Sequence, residues 1–364
     1  MNKEKRSRKK EAGLRTRYVR LKNKMRQLKS QISHLKFSQV ISSNIALALI
    51  ITLITLLVFI AQITGFSIYG TTDYGLSEVI GGCQNITTSG TYTLNQSVTT
   101  DAVCFSINAT NVVLDGAGYN ISNGTYGVWI VEGNKNNVTI KNFGGITRFC
   151  TPIKIDGTNN VTIYNNTIDV YDCSNLKAID IFQSNSTNIS LNTIMSTGII
   201  PLPVHAIYVE QSYDEVIASN TIRLTGSNSV GTYLDNSHRT SITANTINIT
   251  GSGNSYGIRL GNGASDGIQN VSIDLNTIFT LQNNEYGVYV KSTSGTGLNF
   301  TSNNIATQGN NSHALYIQGT NHKINLNTIN TSGRSSNGIY LVSASIIDIT
   351  SNTIMSFPTG LERM

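Results

Sequence analysis

Glu210 and Asp235 close two copies of one short pattern, Ala-Ile-Tyr-Val-Glu and Gly-Thr-Tyr-Leu-Asp, set 25 residues apart. Stacked one above the other, they would hold their carboxyls about 5 Å apart, the separation at which one carboxyl attacks a sugar carbon and the other protonates the leaving oxygen. Like charges that close raise one of the two pKa values, as a general acid requires. Asp180, Tyr208, Tyr233 and Arg259 occupy matching places in neighbouring copies and would surround the pair, and Glu210, Asp235, Asp180 and Arg259 are the candidate catalytic group. The same oxygen-rich cluster is where Ca²⁺ would bind, and no other cofactor or metal is implied. No Cys-x-x-Cys pair occurs, and the Gly-rich string at Gly251 has no following helix to cradle a phosphate.

A second set of residues follows the same pattern. In the strings GVWI, PIKI, AIDI, AIYV, GTYL, GIRL, GVYV, ALYI and GIYL, the third residue lies between apolar neighbours and so points away from them. These residues are Trp129, Lys154, Asp180, Tyr208, Tyr233, Arg259, Tyr289, Tyr316 and Tyr340. A row of outward rings can stack on the apolar faces of sugars, which makes Trp129, Tyr208, Tyr233, Tyr289, Tyr316 and Tyr340 the candidate ligand-binding residues. Tyrosine is also a favoured strand residue, and ring pairs alone stabilise a sheet by about 0.2–1 kcal/mol each.

What must position both sets is a repeat. Asn followed closely by a β-branched or apolar residue recurs at intervals of about 22–31 residues, at Asn120, Asn142, Asn166, Asn192, Asn220, Asn245, Asn276, Asn304, Asn327 and Asn352. Each unit holds about three short alternating strands separated by Gly, Asn and Ser. One unit buries almost nothing alone, whereas stacked units share a continuous core. The members from Asn142 to Asn352 are expected to form a structural ladder, each taking positive φ at a tight turn and bonding its amide to the next.

The VVLDGAGYNI run at Val112 and the NVTI-x-NNTI and GIY(L/V) cadences resemble the right-handed parallel β-helix superfamily, which contains pectate lyases, polygalacturonases, NosD-like and uronan-epimerase-like proteins. The resemblance covers about residues 80–356 and implies an all-β fold, a right-handed parallel β-helix of about ten coils. Its activity motifs are not carried over: NTI stands where polygalacturonases have NTD, no two Asp are adjacent, His205 follows Val204, and no Asp precedes Pro.

Cys83 and Cys104 are 21 residues apart and Cys150 and Cys173 are 23 apart, each close to one coil, so two disulfides are expected between neighbouring rungs. Fifteen Asn-x-Ser/Thr triplets are potential glycan acceptors. Both features suit an oxidising exterior.

Charge divides the chain. Residues 1–36 carry fourteen Lys/Arg against Glu4 and Glu11, while the rest has twelve Lys/Arg against eighteen Asp/Glu, so the large part is acidic and not built for nucleic acid. Between them, Ile45 to Ile63 is almost wholly apolar and long enough for one membrane crossing. The expected organisation is a basic cytoplasmic helix (1–40), a transmembrane helix (41–65), a linker and N-terminal cap (66–110), the β-helix (111–356) and a tail (357–364), with the large domain extracellular on a single-pass cell-membrane anchor. Leu14, Tyr18, Leu21, Met25, Leu28, Ile32 and Leu35 keep heptad spacing. That stripe fits either an oligomerising coiled coil or an amphipathic helix on anionic lipid.

The function expected is binding of polysaccharide or surface glycan, or packing with neighbouring surface proteins; a lyase, hydrolase or epimerase acting through Glu210 and Asp235 is the alternative. Membrane lipid is one expected partner. A homo-oligomer is another, formed where the rod's C-terminal end exposes core.

Overall fold

The computed structural model describes residues 76–356 except short stretches at 134, 171–172, 174–175, 198–202, 264–266 and 293. The expected cytoplasmic helix, transmembrane helix and C-terminal tail lie outside the described residues. Among those described, no helix is long and apolar enough to cross a membrane.

The described chain is a right-handed parallel β-solenoid of about ten turns. One coil shows the plan: Val204–Glu210 lies on a first face, Val216–Ala218 on a second and Thr221–Leu224 on a third. Each strand pairs in parallel with its counterparts one coil before and after. Parallel pairing begins at Leu76–Ile80, which joins Gly90–Leu94 and then Val112–Asp115, so residues expected as linker and cap already form coils.

Alternation decides what faces inward. On the third face Ile121, Ile146, Ile168, Ile194, Ile222, Ile247, Ile278, Ile305, Ile329 and Ile354 occupy one register position in consecutive coils. All but the last are essentially inaccessible to solvent. Each buried Ile side chain stabilises the stack by about 1.5–3 kcal/mol relative to exposure. In the last described coil Leu341, Ile349 and Ile354 are 41–47% exposed, with no further coil over them among the described residues.

The corner between second and third faces holds the amide ladder. Asn166, Asn192, Asn220, Asn245, Asn276, Asn303, Asn327 and Asn352 follow one another, each Oδ1 accepting from the Nδ2 of the previous member at 2.9–3.1 Å. Two expected members are displaced. Asn304 is exposed at the start of a strand, and its neighbour Asn303 takes the inward place. Asn142 sits one position earlier, bonded to Asp115 and Asn165, while Phe143 fills the ladder position and donates its N–H to Asn166. Positive φ also belongs to the preceding residue, as at Asn165, Leu191, Ser219 and Leu275. The turn needs a left-handed residue and then an inward amide, and one side chain does not serve both.

A second ladder lines the corner between first and second faces, where the backbone N–H groups of Thr158, Ser184 and Ser212 donate to the hydroxyls of Ser184, Ser212 and Ser237. The disulfides Cys83–Cys104 and Cys150–Cys173 join adjacent coils, with Cα atoms 4.4 and 5.3 Å apart.

Candidate functional site

The first face carries both candidate sets. Its strands hold a small residue where the chain turns inward. At Gly257 an added Cβ would meet the Gly287 carbonyl oxygen at 2.6 Å, and at Gly287 the Ala314 oxygen at 2.7 Å. The residue before each of these glycines points outward, which adds a second column beside the expected one.

Glu210 and Asp235 are register partners on adjacent coils, both half-buried. The Tyr208 hydroxyl donates to Asp235 Oδ2 at 3.3 Å, and burial together with the neighbouring Asp235 carboxylate raises the Tyr208 pKa strongly. Asp180 pairs with Lys177 at 2.9 Å on its own strand. The Arg259 guanidinium lies 4.6 Å from the Tyr233 ring centre and donates to Asn262 Oδ1 at 2.9 Å. The four residues are thus brought onto one face, with Asp180, Asp235 and Arg259 each in contacts of their own. Two surface clefts lie elsewhere, one lined by Asp115, Phe143 and Asn165, the other by Glu132, Gln183 and Asn185. Among the described residues no three or more His, Cys, Asp or Glu side chains gather to hold a metal.

The aromatic column divides in two. Tyr208 and Tyr233, expected to be exposed, are only 8% and 4% accessible. They meet edge to face with ring centres 5.0 Å apart and pack with Val230 into a small apolar cluster outside the main core. His205, on the strand rather than in a loop, stacks on Tyr208 at 5.5 Å, and Lys177 Nζ lies 3.7 Å from the same ring centre. Burial first, then the Lys177 and Arg259 charges, depress the His205 pKa to about 4, so the imidazole is neutral at pH 7. These two tyrosines are packed between cations and are not available to a ligand.

Further along, the rings are open. Tyr289 and Tyr316 are 4.6 Å apart and Tyr316 and Tyr340 5.5 Å apart. The second column, Tyr256, Tyr286 and His313, fills in beside them, with Tyr256 and Tyr286 stacked at 5.6 Å and His313 and Tyr340 at 4.5 Å. Six rings make one continuous half-buried to exposed strip over four coils. Burial and neighbouring phenols push the Tyr289 pKa up to about 12, which keeps the hydroxyl protonated. Tyr256, Tyr286 and His313 are not among the expected rings, although the Tyr-Gly pairs at 126, 256 and 286 mark their column. At the other end Trp129 is half-buried beside Tyr126, centres 5.5 Å apart, and its indole Nε1 is buried without a partner.

No protein-family model and no curated protein matches the sequence. Solved structures do match its fold. Endopolygalacturonase I from Stereum purpureum, solved with two galacturonates, is similar over 76% of this chain and 93% of its own, with 16% identity and a TM-score of 0.51. The Dettilon tailspike protein is similar over 75% of this chain with 14% identity and a TM-score of 0.50, and the match spans 62% of the tailspike. At these identities the likeness is one of fold, and the chain has the right-handed parallel β-helix architecture of pectin-lyase-like proteins.

Proposed function

We propose that the protein is a surface-displayed rod that binds polysaccharide or surface glycan along the open half of its first face. The observation that carries this reading is the strip of Tyr256, Tyr286, Tyr289, His313, Tyr316 and Tyr340, a ribbon of π-faces repeating once per coil. Sugar rings present apolar C–H faces at a comparable repeat, and an extended groove without a deep cleft suits a polymer. Both solved structures share the scaffold, and the one from Stereum purpureum holds two galacturonates.

In the same reading, residues 41–65 anchor the chain in the cell membrane with residues 1–40 cytoplasmic against lipid, and the last coil, where Leu341, Ile349 and Ile354 are exposed, is where a second copy would associate. The catalytic alternative rests on the register pairing of Glu210 with Asp235.

Gel-affinity assays of the full-length chain against soluble polysaccharides test this. Tyr289→Ala combined with Tyr316→Ala should weaken retention at least tenfold, whereas Glu210→Gln and Asp235→Asn should leave it unchanged. Time-dependent shortening of the polymer by the wild type that stops in Glu210→Gln would establish the catalytic alternative instead.

A further inference from the structure

Asparagine is distributed unevenly around the rod. The sequence has 43, yet from residue 126 onward the first-face segments 126–130, 151–156, 176–182, 204–210, 230–235, 256–260, 286–290, 315–318 and 339–342 contain none; before them, Asn85 on the first-face strand Gln84–Ile86 is an exception. The other faces use it freely, as at Asn188 and Asn299 on the second and Asn120, Asn248 and Asn330 on the third. Poor strand propensity acts on all three faces alike and does not account for the difference.

From residue 126 onward the Asn-x-Ser/Thr triplets follow the same division, for a reason the coil supplies. A buried ladder residue has an Ile two positions further on, where a triplet needs Ser or Thr, so it never forms one. At Asn160, in the second-face strand Asn159–Tyr164, and at Asn270, just before Ser272–Asp274, the next side chain is inward Val and the one after is an outward hydroxyl, so the triplet is complete and lies on the surface. Asn95, Asn160, Asn188, Asn270 and Asn310 are all exposed, and among the described residues none donates its Nδ2 to a partner. Asn137 and Asn165, in contrast, donate Nδ2 to Asn111 and Asn142. Asn248 and Asn330 are half-buried with Oδ1 sealed from solvent.

We propose that Asn95, Asn160, Asn188, Asn270 and Asn310 carry N-linked glycans, so that the second face and the corners are sheathed while the first face from Tyr126 to Leu341 stays bare. The donor is an oligosaccharide linked through its anomeric carbon to a lipid phosphate. Asn Nδ2 forms the bond to that carbon, the carbon–oxygen bond to the lipid phosphate breaks, the phosphate leaves with the bonding pair, and the amide releases one proton. A sheath of this kind would leave the aromatic strip as the long surface open to contact.

The proposal rests on the extracellular placement of the large domain, and the experiment separates the two. Full-length chain purified from the membranes of its own cells is digested and its glycopeptides mapped by mass, with protease accessibility of the domain measured on intact cells in parallel. Glycan mass on the five asparagines, with Asn248 and Asn330 unmodified, is the expected result. Unmodified asparagines on a protease-accessible domain would overturn the proposal, and unmodified asparagines on a protected domain would overturn the placement it depends on. Equal occupancy at Asn248 and Asn330 would show that the folded surface does not select the sites, which also overturns it.

Discussion

The rings of Tyr289 and Tyr316 lie 4.6 Å apart on adjacent coils, their planes 33° from parallel, directly along the axis of the rod. That contact separates the open part of the first face from the closed part, where Tyr208 and Tyr233 meet edge to face beneath Lys177 and Arg259. One strand position thus does two jobs in one molecule, packing at one end and presentation at the other.

Replacing a ring in the closed part should therefore cost stability. Tyr233→Ala empties a site that is 4% accessible and should lower stability by about 3 kcal/mol. Tyr340→Ala, at 41% exposure, loses one flank of a ring stack and should cost about 1 kcal/mol or less. Chemical denaturation of both variants gives the comparison, and equal losses would mean that the two halves of the face are packed alike.

The amide ladder offers a sharper contrast between neighbours. Asn276 donates to the Ile242 and Asp274 carbonyls and to Asn303, and accepts from the backbone and side chain of Asn245. Asn276→Ala strands the buried Asn245 N–H and Ile242 C=O, a loss of about 3 kcal/mol. Asn304→Ala, on an exposed side chain, should fall within about 0.5 kcal/mol of the wild type. Thermal melts that rank the two variants the other way would refute the displaced ladder.

How far the fold can be read from the sequence follows from the same pair. The coil period, the inward isoleucines and both disulfides are legible because each follows from spacing and alternation. The one-residue shift from Asn304 to Asn303 is not, because Asn303-Asn304 reads equally well in either register until the neighbouring amides choose. On the candidate site, the placement of Glu210 beside Asp235 is legible, since equal offsets in successive repeats become register partners. The closure over Tyr208 and Tyr233 is not, because it depends on Lys177, His205 and Val230 from a column whose residue types vary from coil to coil. The buried carboxyls of Glu215 and Glu285 are not legible either, since an isolated Glu in a polar turn carries no sign of burial.

Those two carboxyls make stability depend on pH. Glu215 Oε2 accepts only the Thr187 N–H at 2.7 Å, and burial pushes its pKa up to about 8. Burial likewise lifts Glu285 to about 7, against the N–H groups of Gln282 and Leu281 that hold it down. Below pH 4.5 both groups are protonated whether the chain is folded or not, so the stability is fully present; as pH rises to about 8 the unfolded chain ionises first and stability falls. His205, depressed to about 4, works in the opposite direction below pH 6.5, so the fall should be clean between pH 6.5 and 8. Glu215→Gln should flatten the melting temperature across that window, and a wild-type melting temperature that rises there would contradict the assignment.

Topology is tested on intact cells. Protease added outside should digest the chain beyond residue 65 and spare residues 1–36, so that an antibody to the basic segment still detects a short membrane-bound fragment. Survival of the tyrosine-rich part with loss of the basic segment would reverse the orientation.

The central claim is that the open rings bind sugar, and a glycan array reads it most directly. Full-length wild type and the Tyr289→Ala/Tyr316→Ala double variant are applied at equal concentration to immobilised polysaccharides and surface glycans. The account predicts that the wild type binds at least one class and that the double variant loses at least tenfold of that signal while keeping its melting temperature within a few degrees. Binding that is equal in the two proteins, or absent from every glycan with the wild type, would contradict it.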